Sequence, residues 1–186
     1  MLVLILGLAL FFGLHLLREL GLRQRLITRI GLQPYKGVVA LGILLSLGLI
    51  VAGKASAPFV QVWVPPYSLR PVTHMLMISS CILLVAGALP YSHTRALIIH
   101  PMLAGVIVWG SSHLLSNGDL ASVLLFGSFS LWALGKIITL ELHHVSQRPP
   151  SRPALIWDAA AIVAGMIVYT VLLVFHGPLF GFALLT

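Results

Sequence analysis

The sequence predicts an all-α integral membrane protein, a bundle of six transmembrane helices with both termini on the non-cytoplasmic side. Three observations support this prediction. Hydrophobic residues make up 59% of the 186 residues and charged residues only 8%, whereas a soluble domain carries about a quarter charged residues. The apolar residues fall in six long runs. The basic residues fall mainly on one side of these runs.

Each apolar run is close to the length that a helix needs to cross a hydrocarbon core of roughly 30 Å. A helix is expected because a lone strand in lipid would leave its backbone hydrogen-bonding groups unpaired. We interpret the first run as a retained helix rather than a signal peptide, because it lacks a basic leader and Arg18 follows it directly. The runs predict one membrane domain over residues 1–186 and cover about 1–17, 37–53, 74–90, 101–116, 120–140 and 154–176.

The orientation follows from the basic residues. If the N-terminus lies outside, nine basic residues fall on the cytoplasmic side and only Lys54 and Arg70 on the other. This imbalance follows the positive-inside rule. It also indicates that the net charge of +7 serves contact with a membrane surface rather than with nucleic acid. The nine are Arg18, Arg23, Arg25, Arg29, Lys36, Arg95, Lys136, Arg148 and Arg152.

Three connecting segments carry further signals. Segment 18–35 interleaves arginines with leucines and isoleucines, which predicts a cationic helix in the lipid headgroup region; the alternative is a plain connecting loop. Segment 54–73 contains Trp63 and two adjacent prolines, which predicts an ordered cap at the interface. In the turn 116–119 we expect Gly118 to adopt an unusual φ and Asp119 to cap the next helix.

Five of the eight histidines lie in or at the ends of the predicted membrane helices. Ionisable residues there are costly and tend to face the bundle interior; the alternative for any one of them is a hydrogen bond to a neighbouring helix. Imidazoles with few carboxylates suit haem iron, and zinc held by three histidines and a water is a second option. The candidates are His15, His74, His100, His113 and His176. The others, His93, His143 and His144, are interpreted as solvated surface.

Spacing restricts how these histidines combine. His100 and His113 are thirteen residues apart, which corresponds to roughly 20 Å and 140° on a helix. They should therefore not bind the same iron. By depth, His15 groups with His100 on the cytoplasmic side, and His113 groups with His74 and His176 on the outer side. The alternative for His100 is a helix cap before Pro101.

A stripe of three side chains surrounds His113. Trp109, His113 and Asn117 are spaced i, i+4 and i+8 on one helical face. Asn117 either orients the imidazole, as residues behind metal ligands do, or only shapes the turn that follows.

Several stretches together indicate a family. They are GLALFFGLHLLREL, LRQRLITRIGLQPYKGVVALGILLSLGLIVAG, VWVPP, HPMLAGVIVWGSSHLLSNGDLASVLLFGSFSLWAL and FHGPLFG. With these stretches the chain resembles the NnrU family of bacterial membrane proteins over nearly its whole length. That family takes its name from genes beside denitrification functions.

More distantly, the chain is similar to the plant and cyanobacterial zeta-carotene isomerase, a membrane enzyme that uses b-type haem to isomerise a carotenoid. The matching positions are His100, Pro101, Trp109, His113, His15 with Arg18, and the later His74 and His176. Gly110 stands where the isomerase carries a cysteine. This resemblance implies haem b as cofactor, with His15 and His113 as iron ligands.

The two resemblances lead to two functional expectations. The first is a haem b-binding protein of the bacterial inner membrane, an isomerase or redox enzyme acting on a lipid-soluble substrate such as a carotenoid. The alternative is a non-catalytic accessory protein for denitrification, in nitrite or nitric oxide reduction. The lipid bilayer is the expected partner, and no nucleic acid is expected. Neither resemblance names catalytic residues or an oligomeric state.

Overall fold

A computed structural model of the chain describes residues 1–143, 152–181 and 184. Within these residues the chain is helical, with one isolated β-bridge and no strand, which confirms the all-α prediction. It divides into two compact units, Met1–Val60 and Gln61–Thr186. The helices are α1 (Leu2–His15), α2 (Leu22–Ile30), α3 (Leu32–Ala55), α4 (Arg70–Ala88), α5 (His93–Leu97), α6 (Pro101–Leu114), α7 (Leu120–Leu142) and α8 (Leu155–Phe180).

Helices long and apolar enough to cross a membrane occur in both units, as an integral membrane protein requires. Four such stretches lie in the described residues: Leu32–Ala55, Tyr67–Ala88, Leu120–Leu142 and Leu155–Phe180. Helices α1 and α6 have 14 residues each, below the roughly 20 residues that span a bilayer without help. Six spans and the side of the termini therefore stay predictions.

In the first unit, α1 and α3 pack closely through glycines. A Cβ at Gly7 would lie 2.8 Å from the backbone nitrogen of Ile50, and one at Gly53 would lie 2.6 Å from the Cα of Leu4. Glycines at such positions let two membrane helices approach to backbone contact. Leu4 is fully buried at this contact and Ile50 is 4% exposed. The core of the unit therefore lies where the two glycines let α1 and α3 meet.

The arginine-rich segment 18–35 does form a helix, as predicted. Helix α2 lies between Gly21, with φ 66°, and Gly31, with φ 85° and ψ 160°. The second combination belongs almost exclusively to glycine. The two glycines turn the chain at both ends of α2, and none of the residues of α2 is buried. The location of α2 in the headgroup region stays a prediction.

In the second unit, neighbouring helices run antiparallel in the order α8, α4, α6, α7. Close approaches again occur at glycines. A Cβ at Gly105 of α6 would lie 3.0 Å from the nitrogen of Leu84 of α4, and one at Gly165 of α8 would lie 2.7 Å from the Cα of Ile82. Helix α4 is thus the central element, because it contacts both α6 and α8.

The segment before α4 packs on the turn between α6 and α7. The N–H groups of Val62 and Trp63 donate to the carbonyl of Gly118, at 2.8 and 3.1 Å. This is the ordered cap that Trp63 and the prolines predicted. Among the described glycines a positive φ occurs only at Gly21, Gly31 and Gly181.

The expectation of an unusual φ at Gly118 was therefore wrong. Glycine is needed there because the Trp63 backbone approaches so closely that a Cβ would overlap its carbonyl oxygen. Asp119 does cap α7, as predicted. Its carboxylate accepts the N–H of Ser122 at 3.0 Å and the hydroxyl of Ser122 at 2.6 Å.

Candidate functional site

His113 lies in the last turn of α6, and its ring is held by its own helix and by α7. Its Nδ1 donates to the carbonyl oxygen of Trp109 at 2.9 Å. Its ring stacks on that of Phe126, with centroids 4.3 Å apart and planes inclined by 20°. Because a carbonyl only accepts, the proton sits on Nδ1 and the lone pair on Nε2. This is the tautomer in which histidine ligates a metal through Nε2.

Trp109 and Asn117, the other members of the predicted stripe, have different parts in this arrangement. The indole of Trp109 lies 5.2 Å from the His113 ring and packs edge-on against Phe126 at 4.9 Å. The Asn117 amide donates to the backbone carbonyl of His113 at 2.8 Å, and not to its imidazole. This contact fits the turn-shaping alternative. The group that orients the imidazole is the Trp109 carbonyl, which sequence spacing alone did not reveal.

His15, at the end of α1 in the first unit, has the same arrangement. Its Nδ1 donates to the carbonyl of Phe11 at 2.8 Å. Its ring stacks on that of Phe11, with centroids 4.2 Å apart and planes inclined by 27°. Each unit therefore contains one histidine that bonds a carbonyl four residues earlier through Nδ1 and stacks on a phenylalanine.

His74 lies near the start of α4, at the same end of the second unit as His113. Its Nδ1 is hydrogen-bonded to the hydroxyl of Tyr169 of α8 at 2.8 Å. The hydroxyls of Thr73 and Ser116, 2.7 Å apart, connect the start of α4 to the end of α6. The pair His74–Tyr169 is therefore a polar contact between helices, close to the level at which α6 ends.

His176 lies in the final turns of α8, where its ring is 5.1 Å from that of Phe180. Because α8 runs antiparallel to α4, these turns lie at the end of the second unit where α4 begins. The second unit thus collects His74, His113 and His176 toward one end; their depth in a membrane stays a prediction.

His100 lies at the opposite end of α6 from His113. Its Nε2 donates to the carboxylate of Glu141 at 3.0 Å, joining the start of α6 to the end of α7. It occupies the N-cap position of α6, but its side chain accepts no capping hydrogen bond, so the capping alternative does not describe it. Its separation from His113 agrees with the prediction that the two do not share one iron.

His93 has a buried partner that the sequence reading did not anticipate. The carboxylate of Asp158 accepts the backbone N–H groups of His93 and Thr94, the His93 Nδ1–H and the Thr94 hydroxyl, at 2.7 to 3.0 Å. The His93 side chain is still 59% exposed. The sequence did contain a signal for this contact. Asp158 lies within an apolar run, and a carboxylate there needs a partner.

Two further histidines were predicted to lie on the solvated surface. His143 ends α7 and is exposed. His144 and Arg148 lie outside the described residues.

The donor set discriminates between the two metals considered. A protein zinc site needs three or four side-chain ligands. In neither unit do three His, Cys, Asp or Glu of the described residues form such a group. A porphyrin brings its own four nitrogen ligands and needs only one or two histidines. Single oriented histidines such as His113 and His15 therefore fit haem iron better than zinc.

The comparison with protein families covers both units. A family model described as NnrU protein matches residues 3–184. The chain belongs to the NnrU family. The matched range of this NnrU chain includes all five candidate histidines. Comparisons with curated proteins and with solved structures gave no significant match.

Proposed function

We propose that this NnrU chain is a haem b-binding membrane protein, and that His113 and His15 are each built to ligate a haem iron. The observation that carries the proposal is the arrangement the two histidines share. In both, Nδ1 bonds a backbone carbonyl at 2.8 to 2.9 Å and the ring stacks on a phenylalanine. This arrangement fixes ring orientation and directs the Nε2 lone pair to a ligand, as the hydrogen bonds behind metal-bound histidines do. The resemblance to a haem-dependent isomerase that we infer from the sequence implies the same two residues.

Bound haem would supply a Lewis acid or an electron donor in a site surrounded by lipid. The chain itself would supply orientation through Trp109 and Phe126, which hold His113. It would also supply a proton-bearing pair, His74 and Tyr169, at the same end of the second unit. We propose that the reaction is a redox or isomerisation step on a lipid-soluble substrate such as a carotenoid, as the isomerase resemblance implies.

A second candidate function rests on family membership. Because the family is named for genes beside denitrification functions, we infer as this second candidate a non-catalytic accessory protein for nitrite or nitric oxide reduction. The two candidates differ in whether the protein itself turns over a substrate.

The optical spectrum of the purified full-length protein tests haem binding. With a haem supply during expression, we expect a Soret band and stoichiometric haem. His113→Ala and His15→Ala should each lose most of the haem or change the axial ligation seen by EPR. The matched control is His143→Ala, an exposed histidine at the end of α7, which should retain the wild-type spectrum. A wild-type protein without a Soret band would refute the proposal.

The variant His100→Ala distinguishes iron bound near His113 from iron bound near His100. Since His100 bonds Glu141, we expect its loss to leave the haem content unchanged. Loss of haem with His100→Ala and retention with His113→Ala would instead favour iron bound on the cytoplasmic side. A deletion strain tests the accessory role: normal nitrite and nitric oxide reduction in that strain would contradict it.

A further inference from the structure

Helix α2 is a short cationic helix that is largely exposed in the part of the chain that the structure describes. Its nine residues, Leu22–Ile30, contain Arg23, Arg25 and Arg29 and no acidic residue. None of them is buried. Leu22 is 37% exposed and Ile30 is 45% exposed. The helix therefore presents both charge and apolar surface to its surroundings.

The two kinds of side chain share one face. At about 100° per residue, Arg25 and Arg29 lie along one edge of the stripe formed by Leu22 and Leu26. These four residues line a groove of about 220 Å³ on the surface of the helix. A groove lined by two leucines and two arginines suits a ligand that is apolar at one end and anionic at the other.

The guanidinium groups of Arg25 and Arg29 have no carboxylate partner among the described residues. Arg23 differs, because its guanidinium lies 6.0 Å from the ring centroid of Tyr35. Two unpaired guanidinium groups one helical turn apart match the geometry of a phosphate, which arginine binds through parallel hydrogen bonds.

The position of α2 in the chain favours a lipid headgroup over free phosphate as the ligand. Only Gly31 separates it from α3, a helix long enough to cross a membrane. The groove is therefore held at the end of a helix long enough to cross a membrane, where we expect the lipid headgroups. An amphipathic cationic helix at that level binds anionic lipids.

We propose that α2 is a binding site for an anionic phospholipid. Arg25 and Arg29 hold the headgroup phosphate, and the acyl chains lie along Leu22 and Leu26. This site is independent of haem binding, because it lies on a different helix from His15 and uses none of the candidate iron ligands. Its role is to anchor the first unit to an anionic leaflet.

The test is lipid binding to the purified full-length protein in a non-ionic detergent, measured by native mass spectrometry during titration with phosphatidylglycerol. Arg25→Gln combined with Arg29→Gln should weaken binding roughly 30-fold, since each arginine near an anionic surface contributes about 1 kcal/mol. The control is Arg18→Gln combined with Arg23→Gln, which removes the same charge outside the groove and should change binding by less than about threefold.

Further binding measurements distinguish an anionic phospholipid from a neutral lipid and from free phosphate. Phosphatidylcholine with the same acyl chains should bind far more weakly than phosphatidylglycerol, and inorganic phosphate should not compete at millimolar concentration. Arg25→Lys with Arg29→Lys should give an intermediate affinity, because lysine keeps the charge but not the paired hydrogen bonds. Equal weakening by both glutamine pairs would overturn the site in favour of diffuse charge. Equal binding of the neutral lipid, or competition by free phosphate, would overturn the lipid assignment.

Discussion

The imidazole of His113 and the ring of Phe126 lie nearly parallel, 4.3 Å apart at their centroids, although they belong to different helices. The stack connects the end of α6 to the first half of α7. Beside it, a Cβ at Gly110 would lie 2.7 Å from the carbonyl oxygen of Phe126. The two helices are therefore too close at Gly110 for a larger side chain, and no ligand to iron can come from that position.

Replacing Phe126 should loosen His113 without unfolding the protein. We expect Phe126→Leu to keep the core volume and lower haem affinity by up to about tenfold, since an aromatic pair contributes about 0.5–1.5 kcal/mol beyond its burial. The measurement is the haem-to-protein ratio and the rate of haem transfer to an acceptor protein. Phe129→Leu is the control, because Phe129 packs on Trp109. Equal effects of both variants would show that the stack does not position the ligand.

Asp158 should be important for stability. Its carboxylate accepts four hydrogen bonds from His93 and Thr94, so Asp158→Ala leaves four donors without their acceptor. We expect a loss of about 3 kcal/mol or more, with a smaller loss for Asp158→Asn. Thermal unfolding in detergent is the measurement. Glu141→Gln is the control, because its half-exposed pair with His100 should contribute no more than about 1 kcal/mol. Comparable losses would show that the Asp158 network is weak.

Gly31 should be intolerant of a side chain. Its φ of 85° and ψ of 160° are strained for other residues, so Gly31→Ala should destabilise the first unit by about 1–3 kcal/mol. The same substitution at Gly37, inside α3 with nothing within 4 Å of its added Cβ, should be neutral or mildly stabilising. Unfolding of both variants by heat gives the comparison. A neutral Gly31→Ala would mean that the turn between α2 and α3 adopts another conformation.

Membrane topology can be measured with single cysteines, because the native Cys81 is buried. Six spans predict that Gln24→Cys, Leu97→Cys and His143→Cys react with an impermeant thiol reagent only from the cytoplasmic side, and Ser68→Cys only from the outside. Leu97 precedes α6 and His143 follows α7, so labelling of these two from opposite sides would mean that the short α6 does not cross. A tag at Met1 labelled from the same side as Gln24→Cys would exclude α1 as a span.

Much of this architecture was predictable because its causes are local in sequence. Apolar runs gave the approximate positions of α1, α3, α4, α6, α7 and α8, and the cap at Asp119 followed from its place before an apolar run. The five membrane histidines stood out because imidazole is rare in such runs. The role of Gly118 was misjudged, because the backbone that approaches it, at Trp63, lies more than fifty residues away.

The sequence by itself determined that this is a helical membrane protein of the NnrU family, with arginines between its apolar runs and histidines within or beside them, because hydropathy, helical period and charge are properties of neighbouring residues. Only the tertiary structure decided which groups those histidines meet. His100 bonds Glu141, His74 bonds Tyr169, and Asp158 bonds the start of α5. These partners are 41 to 95 residues apart in the chain, and packing of antiparallel helices, not sequence spacing, brings them to hydrogen-bond distance.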